Sequence, residues 1–136
     1  MSENKVKHLE MIQGVINRLS TNSFLLKGWS VLLVSALVAL GAKDSNPHFV
    51  LLAYFPAFIF WALDGYFLRQ ERLFRALYDK VRAADEAKVD FSMDTSPVAS
   101  KVPGRASVAW SSTLRAFHGT VTLTILVIMV VMMTKR

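Results

Sequence analysis

Three long apolar runs dominate the pattern along the chain: "FLLKGWSVLLVSALVALGA" (24–42), "FVLLAYFPAFIFWALDGYFL" (49–68) and "FHGTVTLTILVIMVVMM" (117–133). A hydrocarbon core of about 30 Å is crossed by roughly 20 residues of helix, within a range of about 17–25. The first two runs have that length, and the third lies at its short end. The intervening "KDSNPH" (43–48) carries Asp44, Ser45, Asn46 and Pro47, a strong turn signal. Runs one and two are therefore expected to form an antiparallel helical hairpin. Pro56 falls inside the second run, where it should kink the helix. A cleaved leader ending at "ALGA" is the weaker reading of the first run, because a long polar stretch precedes it and a second apolar run follows at once.

Outside the runs the period changes to that of amphipathic helices. Residues 4–20 place Leu9, Ile12, Ile16 and Leu19 on one face, and "STNS" (20–23) offers capping side chains for a fresh helix start. Beyond the second run the helix is expected to continue to residue 84. There Leu73, Leu77 and Val81 form a stripe widened by Phe74 and Tyr78, with charges of alternating sign around it. Two arrangements suit these arms. They lie flat at a membrane surface with basic residues toward lipid headgroups, or they pack on each other as a cytoplasmic stalk; the hairpin geometry favours packing. Residues 85–108 hold Pro97 and Pro103 and no sustained period, which reads as a linker. Phe91 and Met93 are its candidates for docking onto the protein. The expected architecture is a single all-α membrane domain spanning residues 1–136: a transmembrane hairpin with amphipathic cytoplasmic extensions and a third, C-terminal span.

Composition adds an orientation. Hydrophobic residues make up 53% of the chain and the net charge is +6. Lys5, Lys7 and Arg18 precede the first run, and Arg69, Arg72, Arg75, Lys80, Arg82 and Lys88 follow the second, whereas the hairpin loop holds only Lys43. The positive-inside rule then places the N-terminus and residues 69–116 in the cytoplasm of a bacterial inner membrane. Lys135 and Arg136, at the far end of the third run, run against that rule.

Candidate chemistry is sparse. There is no cysteine, and His8, His48 and His118 form no metal-binding pair along the sequence, so no metal, cofactor or catalytic residue is expected. Counting back through the hairpin sets Asp64 opposite Lys27. A structural ion pair that pins the register is the favoured reading; independent snorkelling to interfacial water is another. The sharper alternative, a proton or cation site, has no second acid or relay histidine in its support. Trp29, Trp61 and Tyr66 read as interfacial aromatics. Ser35, Ala39 and Ala42 on the first helix, and Ala53 and Ala57 on the second, read as small-residue contact stripes. His118, Thr120 and Thr124 suggest a stripe for a pore lining or a helix contact. The blander reading has the threonine hydroxyls bonded to their own helix.

At "NSFLLKGWSVLLVSAL", "FWALDGYFLRQERLFRALYDKV" and "DFSMDT" the chain resembles a widespread, uncharacterised family of small bacterial membrane proteins. In layout it also resembles the RipA-type octameric membrane proteins, some of which accompany anti-phage systems, although the third run departs from their two-span plan. The resemblance implies a homo-oligomer in the lipid bilayer that acts as a pore-forming, membrane-perturbing or signalling component of anti-phage defence. The alternative is an anchor or scaffold that recruits a cytoplasmic protein through the basic arms. Acidic residues interleaved with the basic ones argue against nucleic acid as a partner.

Overall fold

The computed structural model describes residues 2–135, so Arg136 lies outside the described residues. Every regular element among them is helical: α1 (Glu3–Asp44), α2 (Pro47–Leu52), α3 (Tyr54–Ala83), α4 (Arg105–Ala109) and α5 (Ser112–Thr134), with 3₁₀ turns at Glu86–Lys88 and Ser96–Lys101. Three helical stretches, Glu3–Asp44, Pro47–Ala83 and Ser112–Thr134, are long and apolar enough to cross a membrane.

α1 starts where the Ser2 hydroxyl accepts the Lys5 amide at 3.2 Å, and it then runs unbroken for 42 residues. The fresh start expected at "STNS" is absent. Polar residues inside a helix cost only a few tenths of a kcal/mol each, and Ser23 has a tertiary partner described below. The helix stops at Ser45, held at φ 51°, and the Asn46 amide donates to the Gly41 carbonyl at 2.9 Å. Asn46 in turn caps α2 through the His48 amide, with Pro47 in its first turn. Gly41 is required here: a Cβ would lie 2.7 Å from Val50 Cγ2 and 3.1 Å from the Asn46 carbonyl oxygen.

The helix of the second apolar run is interrupted at one residue, Ala53, which keeps helical dihedrals (φ −63°, ψ −22°) between α2 and α3. Pro56 has no amide hydrogen to give to the carbonyl four residues earlier, that of Leu52, and α2 ends at that residue. α3 ends at Ala83. α5 begins at Ser112, five residues earlier than the apolar run suggests.

α3 returns antiparallel along α1, and two hydrophobic cores form. In the stalk half, Leu9, Ile12 and Ile16 of α1 bury against Leu77 and Val81 of α3. In the apolar half, Val34, Val50, Ala53, Ala57 and Ile125 close the space between α1, the α2–α3 arm and α5. The contact side of α1 carries Leu9, Ile16, Ser23 and Ser30 at seven-residue intervals, the mark of helices wound around each other. Ser35, Ala39 and Ala42 are consequently exposed and take no part in the hairpin contact, whereas Ala53 and Ala57 are buried.

Residues 85–101 form an ordered strap rather than a free linker. Val98 is fully buried in the stalk core, Val89 and Met93 pack against it, and Phe91 lays its ring against His8 with centroids 5.5 Å apart. Below the strap, the buried Lys5 side chain reaches the end of α3 and donates to the carbonyls of Arg82 (3.1 Å) and Ala84 (2.7 Å). A cation there satisfies carbonyls that the helix leaves open and complements its dipole. Lys5→Met should cost about 1–3 kcal/mol, and hydrogen exchange should show faster opening of residues 80–92 before any other part. At the strap's far turn, the Ser96 amide and hydroxyl donate to Asp94 and hold its carboxyl below the ordinary 3.8. This turn is therefore fully supported above that pH, and the support is lost as pH falls through the lowered folded value.

Candidate functional site

The two hydrophobic cores meet at a polar layer. Its centre is Asp64 of α3, with no exposed surface. Two other helices deliver donors to it. From α1, Lys27 Nζ lies 2.6 Å from Asp64 Oδ2, and the Ser23 hydroxyl donates to Oδ1. Lys27 also donates to the Ser23 oxygen at 2.9 Å, which closes a ring of hydrogen bonds. From α5, His118 Nε2 lies 2.7 Å from Oδ2. An ionised carboxylate only accepts, so Nε2 carries the imidazole proton in this arrangement. Nδ1 of the same ring is buried without a partner.

The helix periods explain the convergence. Ser23 and Lys27 stand four residues apart and share a face of α1. His118 lies on the inward line of α5 that also holds Leu114 and Ile125, both fully buried. One carboxylate on α3 thus accepts from two further helices in a pocket closed to solvent, save at Lys27, whose side chain keeps 22% of its surface exposed. Burying an ion costs several kcal/mol, offset only when geometry and additional hydrogen bonds are good; here both are present.

An aromatic stack backs the layer. The Trp61 ring lies between those of His118 and Trp110, each with centroids 5.8 Å away and nearly parallel. Its indole N–H donates to the Ala109 carbonyl at 2.7 Å. Trp61 thus joins α3 to α4 and α5. Trp29 and Tyr66 are exposed on the outer surface, as is Trp110. α4 sits directly on Gly65, where a Cβ would come within 3.1 Å of Ala109 Cβ and 3.2 Å of its Cα. Gly65→Leu should push α4 away, break the Trp61–Ala109 bond and cost about 1–3 kcal/mol. A lowered thermal midpoint and a shifted tryptophan emission maximum would register it.

The three residues read as a stripe on α5 do not act together. His118 is buried, whereas Thr120 and Thr124 are exposed and turned away from it; Thr124 and Thr122 donate back to the carbonyls of Thr120 (2.8 Å) and His118 (2.9 Å). His118 is instead a histidine beside Asp64 that the sequence did not reveal. One signal was available. His118 stands 17 residues before Lys135, and Asp64 17 residues after Pro47, so both lie equally far from the hairpin end of the bundle.

The layer brings together one carboxylate, one ammonium and one imidazole whose second nitrogen has no hydrogen-bond partner. No group of three His, Cys, Asp or Glu side chains suited to a metal ion occurs among the described residues. No family model, curated protein or solved structure matches this chain.

Proposed function

We propose that the chain is the subunit of a homo-oligomeric protein of a bacterial inner membrane, in which a cytoplasmic stalk is joined mechanically to three spans. The carrying observation is the unbroken course of α1. Its 42 residues reach about 63 Å, twice a hydrocarbon core of about 30 Å, so motion of the stalk is transmitted to the span with no hinge between them. Lys27 to Ser45 measures about 27 Å along the helix and His118 to Lys135 about 25 Å. On this reading the Asp64 layer lies at the cytoplasmic edge of the hydrocarbon, level with exposed Trp29, Tyr66 and Trp110, and the hairpin turn emerges on the far side.

Such a subunit suits a membrane-perturbing or signalling component, with anti-phage defence the setting suggested by the resemblance in layout. The interior of one copy is filled by Ser30, Asp64, His118 and Ile125, all buried, so a pore would require several copies. The outward faces of the spans, including Ser35, Ala39 and Ala42, are open to neighbours or lipid. Mass measurement of the protein in mild detergent tests this: a stable homo-oligomer is expected, and a strict monomer would sink the pore version. The scaffold reading draws on a stalk pocket of about 240 Å³ lined by Gln13, Ile16, Arg75, Tyr78 and Asp79. It would prevail if one soluble protein co-purified stoichiometrically while overexpression left the membrane potential intact.

A further inference from the structure

We propose that the groove between α3 and α4 binds an anionic phospholipid, its acyl chain against Phe58, Trp61 and Trp110 and its phosphate beside Arg105 and Arg115. This rests on the membrane reading above and names a ligand for that surface. The groove has a volume of about 230 Å³ and is lined by Phe58, Trp61, Ala62, Ala106, Ala109 and Trp110. Three alanines and three aromatic residues thus make up its lining. The one polar group of Trp61 is already bonded to Ala109, so the walls near it make no demand for water. Phe58 lies six residues from Asp64 toward the hairpin end, about 9 Å deeper on the membrane reading.

The opposite end of the groove is cationic. Arg105 adjoins the lining residue Ala106, and the Arg115 guanidinium stands 5.7 Å above the Trp110 ring. Both arginines are exposed. Arg69 donates from its Nε to the carbonyl of Pro103, two residues before Arg105, at 3.2 Å. Among the described residues, none of the three is paired with a carboxylate, whereas Arg75 and Arg82 in the stalk are paired with Glu71 and Asp79. No acidic residue occurs after Asp94, so nothing nearby on that part of the chain neutralises Arg105 or Arg115. The cations select an anion and the hollow selects an apolar chain; a phospholipid with an anionic headgroup supplies both. A partner helix, about 10 Å across, is too wide for the hollow.

The test uses the full chain purified in mild detergent and returned to phosphatidylcholine vesicles. These contain a minor fraction of chain-brominated phosphatidylglycerol or chain-brominated phosphatidylcholine, and quenching of tryptophan fluorescence is read. Preferential quenching by the anionic lipid is expected. At about fivefold per surface cation, Arg105→Gln with Arg115→Gln should lower that preference about thirtyfold. The stalk pair Arg75→Gln with Arg82→Gln removes the same charge and should leave the preference unchanged. Ala106→Leu, which fills the hollow and keeps every charge, should weaken quenching by the anionic lipid. Equal quenching by both lipids in the unaltered protein would overturn the site while leaving the membrane reading intact. So would equal losses in the two arginine pairs, full binding by Ala106→Leu, or displacement by millimolar glycerol phosphate. Quenching by neither lipid would overturn the site and the membrane reading together.

Discussion

Asp64→Ala is expected to destabilise the folded bundle by about 3–5 kcal/mol, the usual cost of removing one partner from a buried ion pair. The size follows from what remains. Ser23, Lys27 and His118 all lose their acceptor at once, and His118 is wholly buried. Lys27 suffers least, because its partly exposed stem can carry the ammonium outward. Asp64→Asn should cost less, about 1–3 kcal/mol, since the amide still offers one acceptor oxygen in nearly the same volume. Lys27→Met paired with Asp64→Leu should be milder than the sum of its parts, because charges removed together leave no unpaired ion. Denaturant titration in detergent micelles, followed by helical circular dichroism, would measure all of these. Equal stability of Asp64→Ala and the unaltered protein would show that the polar layer does not hold the helices together.

Ile12→Ala is expected to cost about 2–5 kcal/mol, the range for a large aliphatic side chain deleted from a closed core. Ile12 has no exposed surface and packs in one cluster with Leu77, Val81 and Val98, so three separate segments lose a shared contact. The strap should loosen first. Val98 is its only fully buried side chain, and the backbone on either side depends on short turns. Limited proteolysis should then cut within residues 85–101 of the variant well before it cuts the spans. Unchanged protection of the strap would mean that it is held by its own turns, such as that at Asp94, rather than by the stalk core.

How much of this was legible in the sequence depends on how each contact is fixed. The four-residue spacing of the hydrophobic stripes and the short turn at 45–46 set the hairpin register, so counting alone brings Lys27 and Asp64 to the same level. For His118, counting from the hairpin end gives a depth but not a neighbour. It reaches Asp64 through residues 85–111, whose path is set by tertiary contacts such as Val98 in the stalk core and Ala109 on Gly65. Their prolines and serines describe a linker by composition, and composition is overridden when a few apolar side chains find a core. The small residues Ser35, Ala39 and Ala42 left open whether their stripe serves the hairpin or a second subunit; the seven-residue line through Leu9, Ile16, Ser23 and Ser30 marks the side that α3 covers. For Trp61 the sequence offered a position near the end of an apolar run but not its neighbours: its ring stacks on His118 and its N–H donates to Ala109.

The central claim is that three helices cross a bilayer with the stalk and strap on one side and the hairpin turn on the other. The chain has no cysteine, which makes single-cysteine labelling in intact cells the most direct measurement. Ser45→Cys and Lys135→Cys should react with a membrane-impermeant maleimide added outside, and Asp90→Cys should react only after the inner membrane is opened. Labelling of Asp90→Cys from outside, or of residues 45 and 135 from opposite sides, would contradict the three-span arrangement.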